Sequence, residues 1–200
     1  KPSDNLLSVK DLTVTFRTDD ATVTAVRNVG FDVGEGEILG VVGESGSGKS
    51  VTGMSLLRLI PSPPGKIESG TAHFLDRDLL ALPIRELQRI RGKEIGIIFQ
   101  EPMTALSPLH TIGDQLMESL RLHRPMTKLD AWRQSVEWLD KVGIPEPEQR
   151  MRAYPFQFSG GMRQRAMIAM VLMLNPRLIV ADEPTTALDV TTQRQVFELI

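Results

Sequence analysis

An α/β fold is expected of this 200-residue chain, and three stretches carry the expectation. Leu7, Val9, Leu12, Val14 and Phe16 fall in a run that alternates apolar and polar residues, as a half-exposed strand does. Residues 37–60 read in succession as an apolar strand, a glycine-rich loop and a helix. Residues 112–153 carry apolar side chains at helical spacing. An antiparallel β region should therefore lead into an α/β core that holds a helical insert.

Taken in order, the first strand covers residues 6–16, and Arg17-Thr18-Asp19-Asp20 turns the chain. Residues 23–26 and 29–33 read as two more short strands, after which Gly34-Glu35-Gly36 turns again. Glu37-Ile38-Leu39-Gly40-Val41-Val42 is read as a short buried strand. The helix after the glycine loop runs from Ser50 to Ile60, with Val51, Met54, Ser55, Leu57 and Leu59 as its apolar side. Pro61-Ser62-Pro63-Pro64-Gly65 breaks it. A strand over 70–75, a short helix over 83–90 and an apolar strand over 94–99, ending at Gln100, follow.

The character then changes. Leu116, Leu120 and His123 share one helical face, and Trp132, Val136, Leu139 and Val142 share another. Thr127 with Asp130 forms a weak capping box, and Pro145 and Pro147 bound the second helix. Trp132 and Trp138 read as packing residues. Residues 101–157 are assigned to a helical subdomain, and 1–100 with 158–200 to the core of a single domain spanning 1–200. Ser159 is a good N-cap for a helix whose buried face is Met162, Ala166, Ala169, Met170 and Met173. Asn175-Pro176 ends that helix, and Leu178-Ile179-Val180-Ala181 is a buried strand.

Composition narrows the function classes. The chain is 41% hydrophobic and 24% charged, ordinary for a globular protein. A net charge of -2 argues against a nucleic-acid-coating protein, and no nucleic-acid partner is expected. There is no cysteine, so thiolate chemistry and disulfides are excluded within these residues. No apolar run approaches the roughly 20 residues that span a bilayer. The chain begins at Lys1 and ends at Ile200 inside an apolar-periodic segment (Val196, Phe197, Leu199, Ile200), so it is read as a fragment cut on its C-terminal side.

Three motifs carry chemistry. Gly43-Glu44-Ser45-Gly46-Ser47-Gly48-Lys49-Ser50 fits G-x-x-x-x-G-K-[ST], the phosphate-binding P-loop, in its expected strand–loop–helix context. Glycines let the backbone turn its N–H groups inward, and the helix N-terminus adds positive potential. Lys49 can reach β- and γ-phosphates, and Ser50 can give an oxygen to Mg²⁺. In the second motif, the apolar strand 178–181 delivers Asp182 and Glu183 at its carboxyl end, the edge where ligands bind parallel sheets. Asp182 suits Mg²⁺ through water, and Glu183 suits a general base for an attacking water. The third motif is Ser159-Gly160-Gly161-Met162-Arg163-Gln164. Two glycines at a helix start cost helix stability. They make sense if the backbone must approach something closely, and the free N–H groups suit a phosphate. A second anion site in a chain that already has one is explained if it serves a nucleotide held by another protomer.

These motifs resemble those of the ATP-binding-cassette (ABC) ATPases over residues 6–200. Gly43 to Ser50, with Val51 following, looks like their Walker A. Gln100 looks like their Q-loop glutamine, Ser159 to Gln164 their signature motif, Asp182 and Glu183 their Walker B, and Ala187-Leu188-Asp189 their D-loop. Finer wording in Phe99-Gln100-Glu101-Pro102-Met103-Thr104-Ala105-Leu106 and Ala181 to Val190 is similar to the oligopeptide/dipeptide/nickel importer ATPases. Phe156 departs from the histidine many relatives carry there, and Phe158 from the commoner leucine.

The resemblance implies ATP and Mg²⁺ as ligands. ATP would sit between the Walker A of one cassette and the signature of another, with Ser159, Gly160, Gly161, Gln164 and Asp189 contributing. It implies metal contacts from Ser50, Gln100 and Asp182, catalytic roles for Glu183, Lys49 and Gln100, and Phe16 as the adenine-stacking aromatic. The implied partners are a second ABC ATPase subunit or cassette, two transmembrane permease subunits and, indirectly, an extracytoplasmic solute-binding protein. Met103, Leu106, Pro108 and Leu109 are candidates for the permease contact. The implied location is peripheral, on the cytoplasmic face of the membrane. The family's switch histidine is expected beyond Asp189; His73, His110 and His123 all lie upstream. A soluble ABC ATPase of DNA repair or translation is the alternative. A P-loop kinase or GTPase is disfavoured by the Ser-Gly-Gly motif and by the lack of an Asn-Lys-x-Asp guanine motif.

Overall fold

Strand β1 (Asn5–Arg17) buries Leu7, Val9, Leu12 and Val14. Strict alternation would expose either the first pair or the second. A bulge reconciles them: the register shifts between Val9 and Leu12 against one neighbour and between Lys10 and Thr13 against the other, and Asp11 takes a positive φ of 53°. Strand β2 (Thr22–Gly34) answers with Asn28 at φ 50°, whose N–H donates to Thr13 Oγ1 at 3.1 Å. Strand β3 (Gly65–Phe74) answers with Gly70 at φ 111°, where a Cβ would lie 2.6 Å from Leu12 Cα. Irregularities on three neighbouring strands thus coil one antiparallel sheet of order β2-β1-β3-β4, with β4 at Arg77–Asp78.

This computed structural model describes residues 5–101, 105–184, 188 and 190–199. It divides into two compact units, Lys1–Gln88 and Arg89–Ile200. In the first unit the two short strands expected over 23–33 are one long strand. The helix after the glycine loop, α1 (Lys49–Leu56), is shorter than expected. Ser55, Leu56, Leu57 and Ile60 are buried there, whereas Leu59 is exposed. Helix α2 (Ile84–Ile90) buries Leu87 and Ile90.

The expectation of a buried strand over 37–42 is corrected. Residues 37–44 carry no regular secondary structure, and Ile38 and Val42 are 94% and 96% exposed. An apolar run expresses a demand for burial but does not supply the neighbour that meets it. Within the first unit, the ladder of four strands is complete without this segment.

In the second unit β5 (Ile95–Ile98) and β6 (Leu178–Ala181) pair in parallel, Ile95 with Leu178 through Ile98 with Ala181. Helix α6 (Gly160–Leu172) lies over β5 so closely that a Cβ on Gly96 would run into Val171 Cγ1. Helices α3 (Ile112–His123) and α4 (Lys128–Lys141) start at Thr111 and Thr127. Their hydroxyls accept the N–H groups of Asp114 and Asp130, each at 3.1 Å. Leu116 and Leu120 from α3, Leu139 from α4, and Ala166 and Ala169 from α6 form one core with Met151 and Phe158. Helix α5 (Pro147–Arg150), a 3₁₀ turn at Pro155–Gln157 and helix α7 (Val190–Leu199) complete the unit. Helix α6 is buried more widely than its expected face: Met167, Ile168 and Leu172 pack on Ile98 and Leu188.

Candidate functional site

The glycine loop is built on close approaches that only glycine permits. Gly46 and Gly48 have φ of 80° and 93°. A Cβ on Gly48 would strike the Ala25 carbonyl of β2, and one on Gly43 would lie 2.6 Å from Ser47 Oγ. Lys49 bends back over the loop, its Nζ donating to the carbonyls of Gly43 at 2.6 Å and Glu44 at 2.8 Å. Ser47 N–H donates to Glu44 O at 3.2 Å. Residues 43–47, including Ser45, are exposed.

Gly48 is the N-cap of α1 in left-handed conformation and offers no side-chain cap. The first turn holds no acidic residue. Lys49 and Ser50 therefore open the helix with backbone donors not spent on a side chain, the arrangement that receives an anion. One turn on, Val51 O accepts the Ser55 hydroxyl at 2.6 Å and Gly48 O accepts the Thr52 hydroxyl at 2.9 Å.

The second group forms at the tip of β6. Asp182 N–H donates to Ile98 O at 2.9 Å, which extends the parallel ladder by one step and fixes Asp182 at the sheet edge. Glu183 then leaves the strand with a positive φ of 46°, a conformation costly for a non-glycine residue. The twist points its carboxylate back to the end of β5, where Gln100 Nε2 donates to Glu183 Oε2 at 2.8 Å. Two residues 83 apart in sequence, singled out separately, are thus in direct contact.

The third group is the start of α6. Ser159 is the N-cap, its Oγ accepting Met162 N–H at 3.3 Å. A Cβ on Gly160 would meet nothing within 4 Å, so the face of the helix start is open there. Gly161 O accepts from Arg165 Nε at 3.4 Å. Gln164 is fully buried and donates from Nε2 to Pro184 O at 2.5 Å, which ties the helix to the residue after Glu183. Sequence reasoning placed Gln164 in the motif but not this link. The acceptor is a backbone carbonyl, for which a sequence carries no signal.

Phe16, the candidate base-stacking aromatic, is half-buried at the end of β1. Its ring lies over Gly65, where a Cβ would come within 2.9 Å of Cε1. Asp189 lies outside the described residues, as do Ala187, Met103 and the other residues of 102–104. Leu109 is exposed and Leu106 is buried in the helical core. A feature not singled out is the stacked pair Tyr154 and Phe156, three to five residues before Ser159.

A glycine loop wrapped by its own lysine at a helix start, with an acidic pair at the tip of a parallel strand, defines a P-loop nucleotide-binding α/β protein. Residues 26–186 match the ABC transporter family, and the chain belongs to that family.

Its relatives agree. The oligopeptide transport ATP-binding protein OppD of Bacillus subtilis is 52% identical over 195 residues, 98% of this chain and 54% of that protein. OppD of Escherichia coli is 53% identical over 198 residues, 99% of this chain and 58% of that protein. The dipeptide transport ATP-binding protein DppD of Bacillus subtilis is 50% identical over 196 residues, 98% of this chain and 58% of that protein. The chain thus spans just over half the length of these relatives. Among solved structures, the ATP-binding cassette MJ0796, bound to ADP and Pi in a dimeric post-hydrolysis state, superposes with a TM-score of 0.86 at 30% identity. That match covers 96% of this chain and 80% of that one.

Proposed function

We propose that the chain is the ATP-hydrolysing, nucleotide-binding part of a binding-protein-dependent importer for peptides or a related small solute. The observation that carries this reading is the Gln100–Glu183 contact at the tip of β6, in a chain that also holds a lysine-wrapped phosphate loop. Kinship with the OppD and DppD proteins supports peptides as the cargo class.

The loop 43–48 and the first turn of α1 bind the phosphates. Lys49 exchanges its bonds to the Gly43 and Glu44 carbonyls for β- and γ-phosphate oxygens. Glu183 accepts a proton from water as the water attacks the γ-phosphorus and the bond to the β–γ bridging oxygen breaks to release ADP, a contribution typically of about 10²–10⁴-fold. Gln100 holds that carboxylate in line. The helix start at Ser159, Gly160 and Gly161 receives the γ-phosphate of a nucleotide held by a second cassette, so each site needs two protomers.

Ser50, Gln100 and Asp182 offer a hydroxyl, an amide oxygen and a carboxylate, hard oxygen donors that fit Mg²⁺. Among the described residues no group of three or more His, Cys, Asp or Glu could hold a metal. Bound there, Mg²⁺ would neutralise charge on the β- and γ-phosphates.

No helix of the described residues is long and apolar enough to cross a membrane. We infer a peripheral subunit on the cytoplasmic face, with two permease subunits as membrane partners and an extracytoplasmic binding protein delivering solute. The helical segment 101–157 serves as the permease-facing subdomain, and exposed Leu109 is its apolar contact. The test is reconstitution of the full-length protein with co-encoded permeases in vesicles. ATP hydrolysis stimulated by peptide-loaded binding protein is expected. Full hydrolysis that ignores permeases and binding protein alike would place the chain with soluble ABC ATPases instead.

A further inference from the structure

A stacked aromatic pair stands just before the helix start that is read here as a phosphate site. Tyr154 and Phe156 lie with ring centroids 5.6 Å apart and planes 13° from parallel. Phe156 is 68% exposed and Tyr154 39%. The exposed rings leave a flat aromatic surface on which another planar group can stack.

The pair is also held rigidly. Tyr154 N–H donates to Gln157 Oε1 at 2.8 Å and Gln157 N–H to Tyr154 O at 2.9 Å. Arg163 Nε, from the first turn of α6, donates to Pro155 O at 2.7 Å. Pro155 and Phe158 are buried on either side of Phe156. The backbone that carries the rings is therefore tied to the start of α6. The three-residue step from Phe156 to Ser159 leaves a 3₁₀ turn and keeps the rings within about 11 Å of the helix start along the chain. Phe16, by contrast, has its ring laid over Gly65.

We propose that Phe156, backed by Tyr154, is a nucleobase platform that acts across the dimer. When the start of α6 meets the γ-phosphate of a nucleotide in a second cassette, Phe156 stacks on that nucleotide's adenine. The inference rests on the composite-site reading above. A two-ring stack with an open outer face is a ready place for a third planar ring. Because every base has a π-face, the contact adds affinity with little choice among bases. It also links base recognition to closure of the dimer, since the platform and the P-loop belong to different copies.

The test uses the full-length protein assembled with its partner cassette. Steady-state hydrolysis is measured with ATP and with ribose 5-triphosphate, which has no base. Phe156→Ala should raise KM for ATP about ten-fold, within the range of a base–aromatic stack, and leave the kinetics with ribose 5-triphosphate unchanged. Phe156→Trp should restore KM for ATP. An equal loss with both substrates would mean a structural role and overturn the platform. So would an unchanged KM for ATP with loss of permease-stimulated turnover, which would mark the pair as a protein-docking contact. If Gly161→Asp blocks hydrolysis while Phe156→Ala changes nothing, the platform alone fails. If Gly161→Asp hydrolyses normally, the composite site itself fails.

Discussion

Gln100 Nε2 donates to Glu183 Oε2 at 2.8 Å, joining the end of β5 to the tip of β6. With its amide nitrogen committed to the carboxylate, Gln100 presents its amide oxygen as the end that suits a cation. On the proposed reading, one side chain would orient the general base and offer a ligand to the metal. Replacing Glu183 by Gln keeps the size of the group and removes its basicity. Glu183→Gln should lower turnover about 10²–10⁴-fold while equilibrium ATP binding is retained. Rapid-quench turnover set beside calorimetric binding checks it, and unimpaired turnover would remove Glu183 from the role.

Lys49 closes the glycine loop through the Gly43 and Glu44 carbonyls, and on the proposed reading it exchanges these bonds for phosphate oxygens. A hydrogen bond to a charged group is worth roughly 1.5–3 kcal/mol, so Lys49→Ala should weaken ATP binding about ten- to hundred-fold. Isothermal titration gives the value. An unchanged affinity would mean the loop does not cradle phosphate.

His123 ends α3 with its ring against Gly92, half-buried. Burial, aided by the nearby Lys93 charge, holds its imidazolium below the ordinary value of 6.5. The unfolded chain therefore takes up the proton first as pH falls. The stability that neutral His123 contributes is complete above pH 6.5 and is lost as pH drops from there through the depressed folded value. His123→Gln should flatten this part of the curve. Urea midpoints measured on both sides of pH 6.5 read it directly, and identical slopes in the two proteins would refute the assignment.

Leu120 is fully buried where α3 meets α4 and α6. Leu120→Ala should cost roughly 2–5 kcal/mol of unfolding free energy, set by how far the site collapses. Because the core of the second unit supports the start of α6, thermal melts should show the loss before nucleotide binding does. A loss below about 0.5 kcal/mol, the scale of surface changes, would mean the helices do not share this core.

Much of this was legible in the sequence, for identifiable reasons. Thr127 caps its helix, as expected of a short side-chain oxygen before an apolar-periodic run, and Thr111 does the same without having been singled out. The glycine loop was legible because Gly46 and Gly48 take left-handed φ that other residues adopt only at a cost. The run from Leu7 to Phe16 reads as one alternating strand, whereas the structure breaks the alternation between Val9 and Leu12 with a bulge that its neighbours accommodate. The exposed 37–42 segment was misread, because apolarity does not specify a pairing partner. The Gln100–Glu183 and Gln164–Pro184 contacts were beyond reach: each depends on how two distant strand and helix ends meet.

On the proposed reading, the glycine loop is half of a site that the start of α6 from a second cassette completes. Gly161→Asp places a negative side chain at that start without touching the loop. ATP binding to the isolated full-length chain and ATP hydrolysis by the assembled pair should be measured on the same preparation. Binding unchanged from wild type with hydrolysis abolished is the predicted result. Hydrolysis at the wild-type rate would contradict a shared site.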